Sequence, residues 1–219
     1  MKNKVLVVAV HPDDETLGCG GTLLKHKSKG DEIHWLICTT IDKKHSYYET
    51  REKEIEEVSK LYSFDSVHNL RLKTMQVDEY SVSELIGKIS KIISEVQPNI
   101  IYLPFKGDVH SDHRKIFEAS FSCTKSFRYQ FIKKIYMMEV LSETEFAPST
   151  KEDSFIPNVF VDISSYMDKK IEFMNIFKSE MAEHPFPRSE RNLKALAILR
   201  GATCGCEYAE SFVLLKEIL

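Results

Sequence analysis

Histidine and aspartate side chains are concentrated in two segments of the sequence where they could bind a metal ion together. The first segment is HPDDE at residues 11–15, which directly follows the apolar run 4–10. The second is GDVHSDH at residues 107–113, which follows another apolar run. Imidazole and carboxylate ligands, with no cysteine ligand evident, suit a hydrolytic zinc site that leaves one position for water. The two segments therefore predict a divalent-cation site, provided that the fold brings them together.

The pattern of apolar residues predicts a fold that would do so. Strands and helices alternate in the first half of the chain, with strands predicted at 4–10, 32–40, 69–72 and 100–105 and helices at 17–29, 47–62 and 82–96. This alternation predicts a Rossmann-like three-layer α/β/α sandwich with a mostly parallel sheet. In the strand order 3-2-1-4 the first and fourth strands are neighbours, so the loops that follow them face each other across a crevice.

The second half of the chain has a weaker pattern. Helices are predicted at 112–124, 165–177 and 190–199, and strands at 135–141, 159–163 and 212–215. No repeat, low-complexity tract or linker marks a boundary, so the prediction is one domain over residues 1–219.

Composition excludes some classes of protein. There are 30 Lys and Arg against 33 Asp and Glu, a net charge of −3, which argues against a nucleic-acid binder held by a broad basic surface. The five cysteines form no CxxC pair, which favours a reduced, cytoplasmic setting. No apolar run approaches the ~18 residues of a membrane span, so a soluble protein is expected. The net charge leaves a homo-oligomer open.

The spacing of the polar residues supports a shared metal site. His11 and Asp14 are three residues apart across a turn, and His113 is in the first turn of its predicted helix on the inward stripe. Taken alone, residues 11–16 could equally be a helix N-cap cluster. A second histidine and carboxylate cluster after another strand is hard to explain by capping. For His110, a ligand, a general acid and an exposed loop residue all remain open.

These motifs resemble those of the PIG-L/LmbE-like zinc-dependent de-N-acetylases. The resemblance is carried by AVHPDDE at 9–15 with GCGG at 18–21, and by GDVHSDH at 107–113. Near the end, RG at 200–201 and YAESF at 208–212 are similar to the C-terminal pattern of that family. The resemblance covers residues 1–125 and 198–213, and it implies hydrolysis of an N-acetylated amino sugar or a conjugate of one.

The resemblance also implies a role for individual residues of the first and last motifs. It implies that His11, Asp14 and His113 bind Zn²⁺ and that Asp13 is the general base. Zinc lowers the pKa of its bound water to about 7, and a carboxylate beside a ligand can accept the proton of that water.

Two residues of the second motif receive further roles from the resemblance. His110 stabilises the developing oxyanion or protonates the leaving amine, and Asp112 helps to hold His110. A protonated imidazole at this position would supply positive charge where the tetrahedral intermediate becomes negative.

Two more residues are candidates for substrate binding. Arg51 could form a surface pair with Glu54, or it could contact the substrate, as the Arg-x-x-Glu pattern of the family suggests. Tyr208 could be a core or turn residue, or it could place its hydroxyl near the substrate, as the resemblance implies.

For three other motifs, a structural role explains the residues better than a functional one. The glycines at 18–21 lack the third Gly of GxGxxG, so they argue for close packing of a helix on the sheet and not for a dinucleotide. Residues 184–187 (HPFP) indicate a rigid loop that could border the crevice. Residues 204–206 (CGC) indicate a turn before the last strand.

The resulting hypothesis is a zinc-dependent hydrolase that acts on a small-molecule amino sugar. Amidase action on a thiol-conjugated aminoglycoside is a second enzymatic interpretation. A carbohydrate- or nucleotide-binding module that retains the metal without turnover is a third. The presence of both Asp13 and His110 argues against the third, because a binding module needs neither a free base nor a facing acid.

Overall fold

A computed structural model describes residues 2–219, which form one seven-stranded sheet flanked by six α-helices. The strands are β1 (Lys4–Ala9), β2 (Glu32–Thr40), β3 (Ser66–Lys73), β4 (Ile100–Leu103), β5 (Lys134–Met138), β6 (Val159–Asp162) and β7 (Ala209–Glu217). The helices are α1 (Asp14–Ser28), α2 (Tyr48–Tyr62), α3 (Val82–Val96), α4 (Ser111–Ser122), α5 (Met167–Met174) and α6 (Glu190–Cys204). None of the helices in this part of the chain has the length and apolar character needed to traverse a bilayer.

The strand order is β3-β2-β1-β4-β5-β7-β6, which confirms the predicted α/β/α sandwich and the order 3-2-1-4. β1 is central and pairs in parallel with both β2 and β4, so that Val7 lies between Trp35 and Tyr102. β7 pairs antiparallel with both β5 and β6. The sheet is therefore parallel over its first five strands and antiparallel at one end.

Alternate residues of β1 enter two separate cores. Val5 and Val7 face the core beneath α1, α2, α5 and α6, whereas Leu6 and Val8 face the core beneath α3 and α4. All four side chains are fully buried. This explains why β1 is an unbroken apolar run, because a central parallel strand is covered on both faces.

The boundaries differ from the sequence prediction mainly where loops contribute caps. α3 begins and ends as predicted, because Ser81 caps it by accepting a hydrogen bond from the amide of Glu84. α1 begins at Asp14, two residues before the predicted cap Thr16, because Asp13 already accepts the first helical hydrogen bonds. β7 is longer than the predicted 212–215, because its first residues pair with β6.

The helical geometry of α1 is interrupted at one residue, and a carboxylate of β7 accepts hydrogen bonds from the amides that follow the interruption. Cys19 leaves helical geometry (φ −147°, ψ 23°), and the amides of Gly21 and Thr22 donate to the buried carboxylate of Glu210 at 2.9 and 2.7 Å. Lys170 donates to the same carboxylate at 2.7 Å and to the carbonyl of Leu17 at 2.8 Å. Residues of α5 and β7 thus hold the N-terminal half of α1, the helix that directly follows His11, Pro12 and Asp13.

The glycines of α1 allow it to lie close to the sheet, as the sequence predicted. A Cβ built on Gly21 would lie 2.7 Å from Cβ of Ile163, and one on Gly18 would lie 2.9 Å from Cβ of Met138. Both distances are below van der Waals contact, so neither helix position can carry a side chain without a shift of its neighbour.

We therefore expect Gly21→Ala to lower the free energy of unfolding by about 1–3 kcal/mol, because the added methyl group overpacks the buried contact with Ile163. Gly87→Ala is the matched control, because Gly87 is exposed within α3 and nothing lies within 4 Å of its added Cβ. That control should raise stability by about 0.5–1 kcal/mol. Denaturant unfolding measures both, and equal effects of the two substitutions would contradict the close approach.

Candidate active site

The loops after β1 and β4 meet at the carboxyl edge of the sheet, because these two strands are neighbours. A cavity of about 210 Å³ opens there. His11, Asp13 and Asp14 line it from the first loop, and His110 lines it from the second. The two polar segments that are far apart in sequence therefore face a common space, as predicted.

Three side chains form a cluster that could hold a divalent cation. Nε2 of His113 lies 3.3 Å from Nδ1 of His11 and 3.4 Å from Oδ2 of Asp14, and the last two atoms are 3.9 Å apart. Ligand atoms at ~2.0–2.2 Å from a tetrahedral zinc are separated by roughly 3.3–3.5 Å. Two imidazole nitrogens and one carboxylate oxygen at these separations fit such an ion and leave a fourth position open.

A carboxylate stands behind each histidine of this cluster. Oδ2 of Asp108 accepts from Nδ1 of His113 at 2.8 Å, and Oδ2 of Asp112 lies 3.5 Å from Nε2 of His11. Each contact leaves the other ring nitrogen facing the cluster. Carboxylate partners of this kind fix the tautomer and the orientation of metal-binding histidines. His11, His110 and Asp112 form a second group with metal-ligand spacing, but it shares His11 with the first.

The electrostatics of the cluster also suit a cation. Burial alone lowers the pKa of His113, but the carboxylates of Asp14 and Asp108 outweigh it and raise the pKa to about 9. Oδ2 of Asp14 is in turn held by the amides of Val10 and His11, both at 2.8 Å. A buried imidazole between two carboxylates attracts positive charge, and a metal ion that binds there displaces the proton.

Asp13 lies beside the cluster without joining it. Its side chain is buried, and its backbone has φ 143°, a region that non-glycine residues rarely adopt. Its carbonyl accepts from Thr16 and Leu17 at the start of α1, and its amide donates to the carboxylate of Glu15 at 3.1 Å. Burial raises the pKa of Asp13 well above its ordinary value, and the charge of Asp14 raises it further, whereas Arg188 lowers it.

Arg51 lines the cavity, but its hydrogen bonds go to the protein. Nη1 donates to the carbonyl of Pro12 at 2.8 Å, Nη2 donates to Ser179 and Glu180, and Nε lies 3.2 Å from Oε2 of Glu54. The predicted pair with Glu54 is therefore present, although it is buried and not on the surface. Arg51 supports the backbone that carries Asp13.

Asp112 contacts His110 through its backbone amide and not through its carboxylate. Nδ1 of His110 accepts from the backbone amide of Asp112 at 3.1 Å and caps α4, whereas the carboxylate of Asp112 accepts from the amides of Met75 and Val77. Burial lowers the pKa of His110 to about 4, and the neighbouring rings of His11 and His113 add to this effect. The lowered pKa and the acceptor role of Nδ1 favour a neutral imidazole with its proton on Nε2 over the protonated form.

Tyr208 does not line the cavity. Its amide donates to Oγ of Ser164, and its carbonyl accepts from the amide of Ile163. Its ring packs against the larger core. The turn before β7 holds Tyr208 beside β6, which favours the core or turn alternative over a hydroxyl near the substrate.

The sequence analysis missed three charged residues of the cavity, Glu143, Glu180 and Arg188. Nη1 of Arg188 lies 3.1 Å from Oδ2 of Asp13 and 3.0 Å from Oε2 of Glu180. Burial raises the pKa of Glu143 to about 7. Arg188 could have been identified from its position in the sequence, because it directly follows the HPFP loop that was expected to border the crevice. The loop itself lies outside this cavity.

An open α/β sheet with a histidine and carboxylate cluster at its switch point defines an α/β protein with a candidate metal site. The sequence model of the family described as "PIG-L: GlcNAc-PI de-N-acetylase" matches residues 6–124. The chain therefore belongs to the PIG-L family, as its motifs predicted, and it is an enzyme of the deacetylase class. This membership favours an enzyme over a binding module without turnover.

Individual relatives extend the match beyond the first half of the chain. The diacetylchitobiose deacetylase of Thermococcus kodakarensis is 26% identical over an alignment of 222 positions, which covers 94% of this chain and 81% of the relative. A probable N-acetyl-alpha-D-glucosaminyl L-malate deacetylase 2 of Bacillus anthracis is 24% identical, over 83% of this chain and 84% of the relative. The solved N,N'-diacetylchitobiose deacetylase of Pyrococcus horikoshii has a TM-score of 0.77 at 23% identity, with 98% and 84% covered.

The backbone of Asp13 yields a stability prediction. We expect Asp13→Gly to be more stable than Asp13→Ala by about 1 kcal/mol or more, because both remove the carboxylate but only glycine adopts φ 143° without strain. Denaturant unfolding of the two variants measures the difference.

The control is the same pair of substitutions at Lys91, an exposed residue within α3. There the sign should reverse, with glycine about 1 kcal/mol less stable than alanine. An alanine variant at position 13 that matches or exceeds the glycine variant in stability would show that the backbone is not strained.

Proposed function

We propose that this protein is a zinc-dependent hydrolase that releases acetate from the nitrogen of an N-acetylated amino sugar or of its conjugate. The observation that carries the proposal is the juxtaposition of His11, Asp14 and His113 with a carboxylate, Asp13, that stays outside the cluster. The relatives support the substrate class, since they are named as deacetylases of diacetylchitobiose and of N-acetylglucosaminyl malate.

His11, Asp14 and His113 would hold the zinc ion. Two imidazoles and one carboxylate, with no thiolate, are a ligand set common in catalytic zinc sites. When bound, zinc supplies a Lewis acid that polarises the amide carbonyl and acidifies a water molecule. Asp108 and Asp112 would keep the two histidines in the orientation that this requires.

Asp13 is the proposed general base. Its carboxylate lines the cavity next to Asp14. Arg188 contacts Oδ2 of this carboxylate, and within residues 2–219 Oδ1 has no hydrogen-bond partner. That oxygen accepts the proton of the attacking water and passes it to the amide nitrogen, which makes the amine a leaving group. The support from Arg51 and Arg188 fixes the base in place before substrate arrives.

His110 is the proposed stabiliser of negative charge. Because Nδ1 accepts from the amide of Asp112, Nε2 carries the proton and can donate it in a hydrogen bond to the oxygen that becomes negative. A neutral donor fits this role better than general acid catalysis, so we assign proton delivery to Asp13 alone.

We also propose a domain organisation, a substrate class and a cellular location for the enzyme. Residues 1–219 would act as one catalytic domain, because both cores pack against the same sheet. The near-balanced charge supports a small-molecule substrate and not nucleic acid, and the unpaired cysteines support a cytoplasmic location. A thiol-conjugated aminoglycoside would present the same kind of amide and is a second candidate substrate.

The first test separates metal binding from base catalysis. Asp13→Asn should retain about one zinc per chain but lose acetate release by a factor of about 10²–10⁴, because the amide cannot accept the proton. His113→Ala should lose the zinc itself. Elemental analysis and an acetate assay on a panel of N-acetylglucosamine conjugates measure the two effects.

His68→Ala is the control, because His68 lies on β3 and contacts Ser66, away from the cavity. It should change neither zinc content nor activity. Full activity in Asp13→Asn would remove the base assignment, and stoichiometric zinc in His113→Ala would remove the ligand assignment.

The second test concerns the carboxylate behind His113. Asp108→Asn should weaken zinc affinity about 10- to 100-fold, because the neutral amide no longer orients the ring or raises its basicity. Competition with a chelator measures the affinity. Asp168→Asn, a change at an exposed position in the first turn of α5, should leave it unaltered. Equal affinities in the wild type and in Asp108→Asn would show that Asp108 serves the fold alone.

A further inference from the structure

Arg188 has hydrogen-bond donors that the protein does not use. Its Nη1 faces both Asp13 and Glu180, at 3.1 and 3.0 Å. Its Nε is buried and has no hydrogen-bond partner. Within residues 2–219 no partner is recorded for Nη2 either.

The two unused donors lie on the same edge of the guanidinium. Nη1 is cis to Cδ, so Nε–H and one N–H of Nη2 point the same way and form a planar fork. Such a fork matches the two oxygens of one carboxylate or phosphate group. A buried donor without a partner is unfavourable, and a ligand oxygen at this edge would satisfy it.

Arg51 provides the contrast. It lines the same cavity, and its Nη1 and Nη2 donate to Pro12 and Glu180, whereas its Nε makes no hydrogen bond but lies 3.2 Å from Oε2 of Glu54. For Arg51 the sequence left a pair with Glu54 and a substrate contact equally open, and the one nitrogen without a hydrogen bond lies beside the Glu54 carboxylate. In Arg188, both Nε and Nη2 lack a hydrogen bond within residues 2–219.

The charges around the cavity allow an anion at this edge. Four carboxylates and two guanidiniums line the cavity, those of Asp13, Asp14, Glu143 and Glu180 and those of Arg51 and Arg188. A divalent cation at the proposed zinc site would balance this set. An anionic substituent would then meet the free edge of Arg188 without adding to an existing excess of negative charge.

We propose that Arg188 binds an anionic group of the substrate, a carboxylate or a phosphate, carried on a carbon next to the acetamido group. This proposal rests on the proposed function and narrows its substrate class. Because Nη1 of Arg188 contacts the carboxylate of Asp13, the bound anion lies close to the reacting amide. In a 2-acetamido sugar that position corresponds to a substituent on carbon 1 or carbon 3.

The test compares anionic with neutral substrates in wild type and variants. The substrates are N-acetylglucosamine 1-phosphate, the N-acetylglucosamine glycoside of a 2-hydroxy acid, and the neutral methyl glycoside. We expect the wild type to prefer an anionic substrate. Arg188→Gln should lower kcat/KM for that substrate about ten- to a hundredfold more than for the neutral one, because charged hydrogen bonds are lost. Arg188→Lys, which keeps the charge but not the fork, should give an intermediate ratio.

The ratio of kcat/KM for the anionic substrate to kcat/KM for the neutral one separates two roles of Arg188, binding of the anion and positioning of Asp13. A positioning role would lower both values equally and leave the ratio unchanged, and this result would overturn the proposal. A selective loss with the phosphate or with the hydroxy acid supports it and identifies the source of the anion. Arg191→Gln is the control, because Arg191 is exposed and lies outside this cavity.

Binding of the deacetylated products separates this proposal from the proposed function. Calorimetry of glucosamine 1-phosphate, of the deacetylated glycoside of the 2-hydroxy acid and of methyl glucosaminide needs no turnover. Tighter binding of an anionic product that Arg188→Gln abolishes would support the proposal even if no substrate releases acetate, in which case the proposed function alone fails. Equal binding of all three products by both proteins would overturn the role of Arg188.

Discussion

The parallel pairing of β1 with β4 is the constraint on which the site depends. In this pairing Val5 lies beside Ile100 and Val7 beside Tyr102, so the two strands end at the same edge of the sheet. The loops that follow them therefore start from adjacent points. Burial of β1 on both faces keeps this register, because a shift of one residue would turn the side chains of both cores to the wrong face. The approach of His113 to His11 to within 3.3 Å follows from this pairing.

The second requirement is a set of buried carboxylates that are held in place by hydrogen-bond donors. Asp13, Asp14, Glu15, Asp108 and Asp112 are all nearly inaccessible to solvent. Isolated buried carboxylates would be strongly unfavourable. Each of these carboxylates has its own partner, either a backbone amide, a histidine or an arginine. The resulting site is rigid before any ligand binds, which is the condition for electrostatic stabilisation without rearrangement.

The sequence predicted the sheet order and the metal cluster because both depend on local patterns. Apolar runs identify the strands, and the polar segments that end two of them identify the edge where ligands bind. The role of Arg188 could not be predicted in this way, because it comes from a loop whose path depends on how α5 and α6 pack. The same limit applies to Tyr208 and to the carboxylate of Asp112. A motif identifies that a tyrosine or an aspartate is present. The direction of β7 determines where Tyr208 lies, and the cap of α4 determines where the side chain of Asp112 lies.

Arg188 and the strained backbone of Asp13 are physically linked. A residue at φ 143° persists only if its surroundings hold it there, and here Arg51 fixes the carbonyl before it while Arg188 fixes its carboxylate. If the free edge of Arg188 binds an anion of the substrate, the same guanidinium contacts the substrate and the base at once. Binding energy from a group remote from the reacting amide then helps to orient the base, which raises kcat as well as affinity. A neutral sugar would fill the cavity without this second contact, so discrimination would arise in the chemical step and not only in binding.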